Sequence, residues 1–238
     1  MAPTTEIALA LDVPNRDRAD DVLLQLAGGL QWVKIGLQLF CREGPAWIAG
    51  ISQRGFKVFL DLKLHDIPNT VAGAVSSIAS CRPDLLTLHA SGGEAMLRAA
   101  VEARNSHTPS TRLIAVSVLT SLDQADLASI GVPDSTEEQV LRLTKLALSA
   151  GVDGVVASPL EIALLRSTFG PQPYLVTPGI RPESSQAHEQ KRTMGPAQAA
   201  AAGSNLLVVG RPILEAPNPR AALESIQSGI DAIHPRRT

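Results

Sequence analysis

The stretch Val58-Phe59-Leu60-Asp61-Leu62-Lys63-Leu64-His65-Asp66-Ile67-Pro68-Asn69-Thr70 decides how the rest of the chain is read. It begins as an apolar strand and then carries ionisable side chains where a buried strand has none. On an extended backbone, residues two apart share a face. Asp61 and Lys63 therefore point one way, and Leu60, Leu62 and Leu64 the other. Burying such charges costs on the order of several kcal/mol per ion unless they are paired. Two readings fit: a structural ion pair on a solvated strand face, or one wall of a reactive site.

Working outward, similar apolar runs recur at 7–13, 32–36, 85–90, 113–119, 154–158, 174–180 and 205–210, with 58–63 third in order. Each opens into polar residues and then an amphipathic stretch, a repeated βα pattern. Parallel strands need helical crossovers, and eight units in 238 residues predict an α/β fold closed as a (β/α)₈ TIM barrel. An open doubly wound sheet is the structural competitor. One domain over residues 1–238 is expected.

Helix punctuation supports the segmentation. Asn15 can cap a helix through Leu23 and Leu26 that stops at Gly28-Gly29. Thr136, Glu137 and Glu138 open a helix that runs to Ala150 and ends at Gly151. Asn218-Pro219 is a cap followed by proline at the first helical position. Residues 105–111 and 181–192 read as polar loops.

Composition excludes several classes. The chain is 45% hydrophobic but only 3% aromatic, so its core is built from Ala, Leu, Val and Ile, as suits parallel strands covered by helices. Net charge is −2 with no run of Lys or Arg, which argues against nucleic acid or an anionic membrane as partner. Cys41 and Cys81 are too few for a disulfide framework or a zinc site. The apolar start at 7–11 is short and ends at Asp12, unlike a signal peptide, and no apolar stretch is long enough to span a bilayer. The expectation is a soluble cytoplasmic protein.

In such barrels the reactive groups sit at the C-terminal strand ends. Read in order, these ends offer Asp12, Lys34, Asp61 with Lys63 and, just beyond, Asp66, then His89 and Thr120-Ser121. Asp12, Lys34, Asp61 and Lys63 should converge on one rim. Carboxylates beside lysines keep them protonated, which suits a general acid and not a Schiff-base nucleophile. Asp12, Asp61 and Asp66 could offer oxygen ligands to Mg²⁺, but Lys34 and Lys63 put positive charge where the cation would sit, so no metal is expected. After the seventh and eighth strands come Arg181 and Gly210-Arg211, placed to grip a phosphate. The predicted substrate is a small phosphorylated molecule with its reacting end over Lys63. His89 is either a general base or a hydrogen-bonded rim residue. His65 should face away from Asp61 and Lys63, and Trp32 and Trp47 read as packing.

The segment Asp61–Thr70 resembles the signature of the orotidine 5′-phosphate decarboxylase family. The likeness extends, in family order, through Leu9-Ala10-Leu11-Asp12, Val33-Lys34-Ile35-Gly36, Leu119-Thr120-Ser121, Thr177-Pro178-Gly179-Ile180-Arg181-Pro182 and Val209-Gly210-Arg211-Pro212. The resemblance implies a (β/α)₈ homodimer that converts orotidine 5′-monophosphate to UMP and CO₂ without metal or organic cofactor. It implies a network of Lys34, Asp61, Lys63 and Asp66, with Asp66 and Thr70 lent to the partner's site and Ile67 among the substrate contacts. Lys63 would protonate the ring carbon that loses the carboxylate, and Asp12 and Lys34 would hold the ribose hydroxyls. Thr120 would meet the pyrimidine, while Arg181, Gln190, Gly210 and Arg211 would hold the phosphate or its closing loop. The loop after Arg181 departs from the family's usual glycine and Asp-Gln pair, although Gln190 keeps its place. The nearest rival is a Mg²⁺-dependent sugar-phosphate decarboxylase or aldolase on the same barrel, whose members carry a carboxylate where this chain has Lys34. A non-catalytic phosphate-ligand-binding barrel is the rival from another class.

Overall fold

Eight strands pair in parallel, each with the next: β1 (Glu6–Ala10), β2 (Trp32–Gly36), β3 (Lys57–Leu64), β4 (Leu85–His89), β5 (Arg112–Val116), β6 (Gly154–Val156), β7 (Tyr174–Thr177) and β8 (Leu206–Val209). β8 returns to pair with β1, so the sheet is a closed barrel and has no edge. The computed structural model describes residues 5–181 and 193–233. The strand count and the closure are those expected from the repeated pattern.

Alternation along the strands separates two cores. Ala8, Ala10, Trp32, Phe59, Leu85, Ile114, Val176, Leu206 and Val208 fill the barrel interior. Their neighbours Leu9, Val33, Val58, Leu60, Leu86, Leu113 and Leu207 face outward and pack under the helices. Trp32 is interior packing, with the Lys57 ammonium 5.1 Å from its ring centroid, and Trp47 lies in the outer core. Continuing the inward series by two residues toward the strand ends gives Asp12, Lys34, Asp61 and Thr87. The barrel's top layer is thus polar because its lower layers are apolar on the same face.

The helices follow their caps. Asn15 accepts from the Arg18 N–H at 3.0 Å and starts the helix Arg16–Leu26. Ser135 and Glu138 form a reciprocal capping box on Thr136–Ser149. Asn218 accepts from the Ala221 N–H at 3.0 Å and opens Pro219–Asp231.

The structure departs from two expectations and adds one element. The apolar runs overshoot the strands: β1 stops at Ala10, β5 at Val116 and β7 at Thr177, because the remaining apolar residues turn into the loops that carry the rim. Residues 105–107 are helical, as the last turn of Gly93–His107, and not loop. Their polarity faces solvent while Ala103 and Arg104 anchor the turn, with Arg104 bound to Asp153 at 2.6 Å. A six-residue helix, Gln124–Ser129, was not foreseen; Asp123 and Asp126 cap it reciprocally.

Candidate active site

The rim residues of the first three strands meet as an ionic cluster. Lys34 is held on β2 with 9% exposure, and its ammonium donates to Asp12 Oδ1 at 3.2 Å. The same ammonium lies 3.5 Å from Asp61 Oδ2, to which Lys63 Nζ donates at 2.8 Å. Burial pushes the Asp61 carboxyl up, but the ammoniums of Lys34 and Lys63 and hydrogen bonds from Lys63 and Thr87 outweigh it. Asp61 therefore ionises below the ordinary carboxylate value.

Lys63 reaches this position through an irregular backbone. Its φ is +51°, in the left-handed region that costs a non-glycine residue roughly 1–2 kcal/mol. The β3–β4 register shifts at the same place: Leu60 pairs with Leu86, but Leu64 pairs with Leu88. Four residues of β3 thus span two of β4, a bulge that re-aims a side chain at a barrel rim. Beyond it the alternation is lost. His65, expected to face away, brings its ring to 5.2 Å from that of His89. Burial, then the neighbouring His65 and Lys63, lower the His89 imidazole from its ordinary value.

The cluster opens on a cavity of about 480 Å³, whose lining includes Asp12, Lys34, Asp61, Lys63 and Thr120 on one side. Arg181, Gly210, Arg211 and Glu215 line the other. Gly210 passes so close to β1 that a Cβ there would meet Ala10 Cβ at 3.3 Å. Arg181 donates through Nη1 to the Ile180 carbonyl at 2.9 Å, while its Nε is buried without a hydrogen-bond partner among the described residues. Burial, then the adjacent Arg211, lower the Arg181 guanidinium from its ordinary value, and Glu215 offsets part of this. Two guanidiniums lining one cavity can together hold an anion. A second cavity of about 740 Å³ lies at the opposite end of the barrel, beside Glu6, Gln31, Trp32 and Gln227. It is larger, but the converging charges are at the C-terminal face, where barrel enzymes carry their chemistry.

Asp12, Lys34, Asp61, Lys63, Thr120, Arg181, Gly210 and Arg211 are therefore brought together around one cavity. Asp66, Ile67 and Thr70 are not. They lie exposed at the start of the helix Pro68–Ile78, and Asp66 Oδ1 accepts the Ile67 N–H at 2.6 Å. Gln190 falls outside the described residues. Two residues at the site were not singled out from sequence. Thr87 is one, a hydroxyl at an inward position of an apolar run, which is the signal that marks it. Glu215, the other, carries no such signal, since it follows a short helix on the surface side of the rim.

Fold and cavity define the class: a (β/α)₈-barrel enzyme whose mouth pairs carboxylates with lysines and faces them with arginines. The model of the Orotidine 5′-phosphate decarboxylase / HUMPS family matches residues 5–226, and the chain belongs to that family. An orotidine 5′-phosphate decarboxylase of Opitutus terrae is 48% identical over 221 residues, covering 93% of this chain and 96% of the relative. One from Anaeromyxobacter dehalogenans is 46% identical over 230 residues, covering 97% of this chain and 100% of that one. The crystal structure of orotidine 5′-phosphate decarboxylase from Lactobacillus acidophilus is similar with a TM-score of 0.84 at 36% identity, covering 97% and 100% of the two chains.

Proposed function

We propose that this chain decarboxylates orotidine 5′-monophosphate through the Asp61–Lys63 pair, with no metal or organic cofactor. The reaction yields UMP and CO₂ and is the last step of UMP synthesis. The observation that carries the residue assignment is the Lys63 ammonium, 2.8 Å from a buried Asp61 in a cavity that two guanidiniums also line.

Arg181 and Arg211, with Gly210, hold the 5′-phosphate, and Gln190 joins them. Asp12 and Lys34 bind the ribose hydroxyls, and Thr120 meets the pyrimidine. Phosphate binding is remote from the reacting carbon, so its energy can fix the ring over Lys63. The substrate carboxylate then lies against the ionised Asp61. Breaking the C–C bond releases CO₂, relieves that repulsion and leaves the electron pair on the ring carbon. The Lys63 ammonium stabilises the developing carbanion and gives it a proton, after which solvent reprotonates the amine. Oxygen ligands for a cation are already engaged: Asp12 and Asp61 both accept from Lys34 or Lys63. That donor set supports a metal-independent reaction over the sugar-phosphate alternative.

Asp66, Ile67 and Thr70 are proposed to act across a homodimer interface. Their exposure, beside the 66%-exposed side chain of Ile67, supports a site completed by a second copy.

The test is an absorbance assay for orotidine 5′-monophosphate with EDTA present. Wild type should turn over undiminished. Lys63→Ala should lose at least about 10³-fold in kcat while still binding UMP. Undiminished turnover by Lys63→Ala would remove Lys63 from the mechanism, and loss of wild-type activity in EDTA would favour the Mg²⁺-dependent alternative.

A further inference from the structure

We propose that Thr87 is a positioning residue for this decarboxylation: its hydroxyl holds the Asp61 carboxylate and the Lys63 backbone in the arrangement that presents the Lys63 ammonium to the cavity. The inference rests on the function proposed above and adds a residue to it.

Thr87 lies on β4, faces the barrel interior and is fully buried. Its hydroxyl donates to Asp61 Oδ1 at 2.9 Å and accepts the Lys63 N–H at 2.9 Å. A hydroxyl has one proton, so the two bonds have defined directions: the proton goes to the carboxylate and a lone pair meets the amide. Asp61 Oδ1 is thereby assigned to Thr87, and Oδ2 is left for Lys63 Nζ and Lys34 Nζ. The carboxylate plane is fixed from both ends.

The bond to the Lys63 amide has a second effect. Lys63 is one of two non-glycine residues with positive φ among the described residues, and it sits where the β3–β4 register shifts. The ladder hydrogen bond that a regular strand would give this amide comes here from a side chain. Without it, Lys63 has less reason to keep its left-handed backbone, and its side chain loses the path back to Asp61. Thr87 does not line the cavity. It acts through Asp61 and Lys63 and does not touch substrate.

Replacing Thr87 by valine keeps the shape but orphans a buried carboxylate oxygen and a part-buried amide. Alanine removes hydroxyl and methyl together, and serine keeps the hydroxyl alone. Thr87→Val and Thr87→Ala should lower kcat by roughly 10- to 100-fold, the scale of a small misplacement of reacting groups, with KM and UMP affinity near wild type. Thr87→Ser should stay close to wild type. Loss of the donor to Asp61 should also move the acid limb of the kcat–pH profile to higher pH, because that bond favours the ionised carboxyl. A purely structural role would lower thermal stability without moving the limb. If Thr87→Val does not fold, the alanine and serine variants, which differ only in the hydroxyl, decide the question. Equal kcat and equal acid limbs for those two overturn the proposal, as does a loss confined to KM. A wild-type protein that leaves orotidine 5′-monophosphate unconsumed refutes the function itself, before any variant is compared.

Discussion

His89 is half-buried at the end of β4, and burial, His65 and Lys63 all disfavour its charged form. Asp61 opposes them but does not prevail. Below the ordinary value of 6.5, the unfolded chain takes up a proton that the folded chain binds less readily. Stability should therefore fall as pH drops from 6.5 toward the lower folded value. The expected outcome is a melting temperature that declines between pH 7 and pH 5, with a shallower slope in His89→Gln. Parallel slopes for the two proteins would exclude His89 as the source. Asp61 acts with the same sign at lower pH: its depressed folded value stabilises above 3.8 and is lost as pH falls through it. At this scale Lys34, Asp61 and Lys63 were legible in sequence, because charges on an apolar strand have to be paired. The left-handed backbone of Lys63 was not. It has no glycine or asparagine to announce it, and it is held by Thr87 from the neighbouring strand.

Strand β6 is three residues long and depends on close contact with β7. Gly154 is the register partner of Tyr174, and a Cβ on Gly154 would lie 2.0 Å from the Tyr174 carbonyl oxygen. The obstacle is backbone, so no rotamer change relieves it. Gly154→Ala should separate β6 from β7 and destabilise the barrel by about 3 kcal/mol or more, beyond the usual range for overpacking. Urea unfolding would measure this, and a midpoint unchanged from wild type would show that the pair adjusts. Existence and order of the eight strands were readable from apolar runs because each strand is buried on both faces. Their ends were not, since residues such as Val118 and Ile180 are equally buried beyond the last ladder pair. The turn at residues 105–107 hides its helix for the converse reason: its side chains are polar, but its backbone continues the helix that Ala100 and Ala103 pack.

At the scale of the whole molecule, βα repetition was enough to predict closure, because eight parallel units leave no edge to cover. Completeness of the site was not readable from repetition. The chain gathers Asp12, Lys34, Asp61, Lys63, Thr120 and the arginines around its cavity, and leaves Asp66 and Thr70 on its surface. If Asp66 serves the partner's cavity, Lys63→Ala and Asp66→Asn injure different subunits' contributions to any one site. In a mixed dimer, the cavity that keeps Lys63 receives the intact Asp66 of the other chain, and the second cavity lacks both. Equal mixing with free exchange makes about half the dimers mixed, with one working site in two, so two nearly inactive proteins should recover about a quarter of wild-type activity. Recovery should follow subunit exchange in time and vanish when exchange is blocked by cross-linking each variant beforehand. Activity that stays at the level of the separate variants, with mixed dimers shown by mass spectrometry, would place Asp66 in its own subunit's site or outside the mechanism.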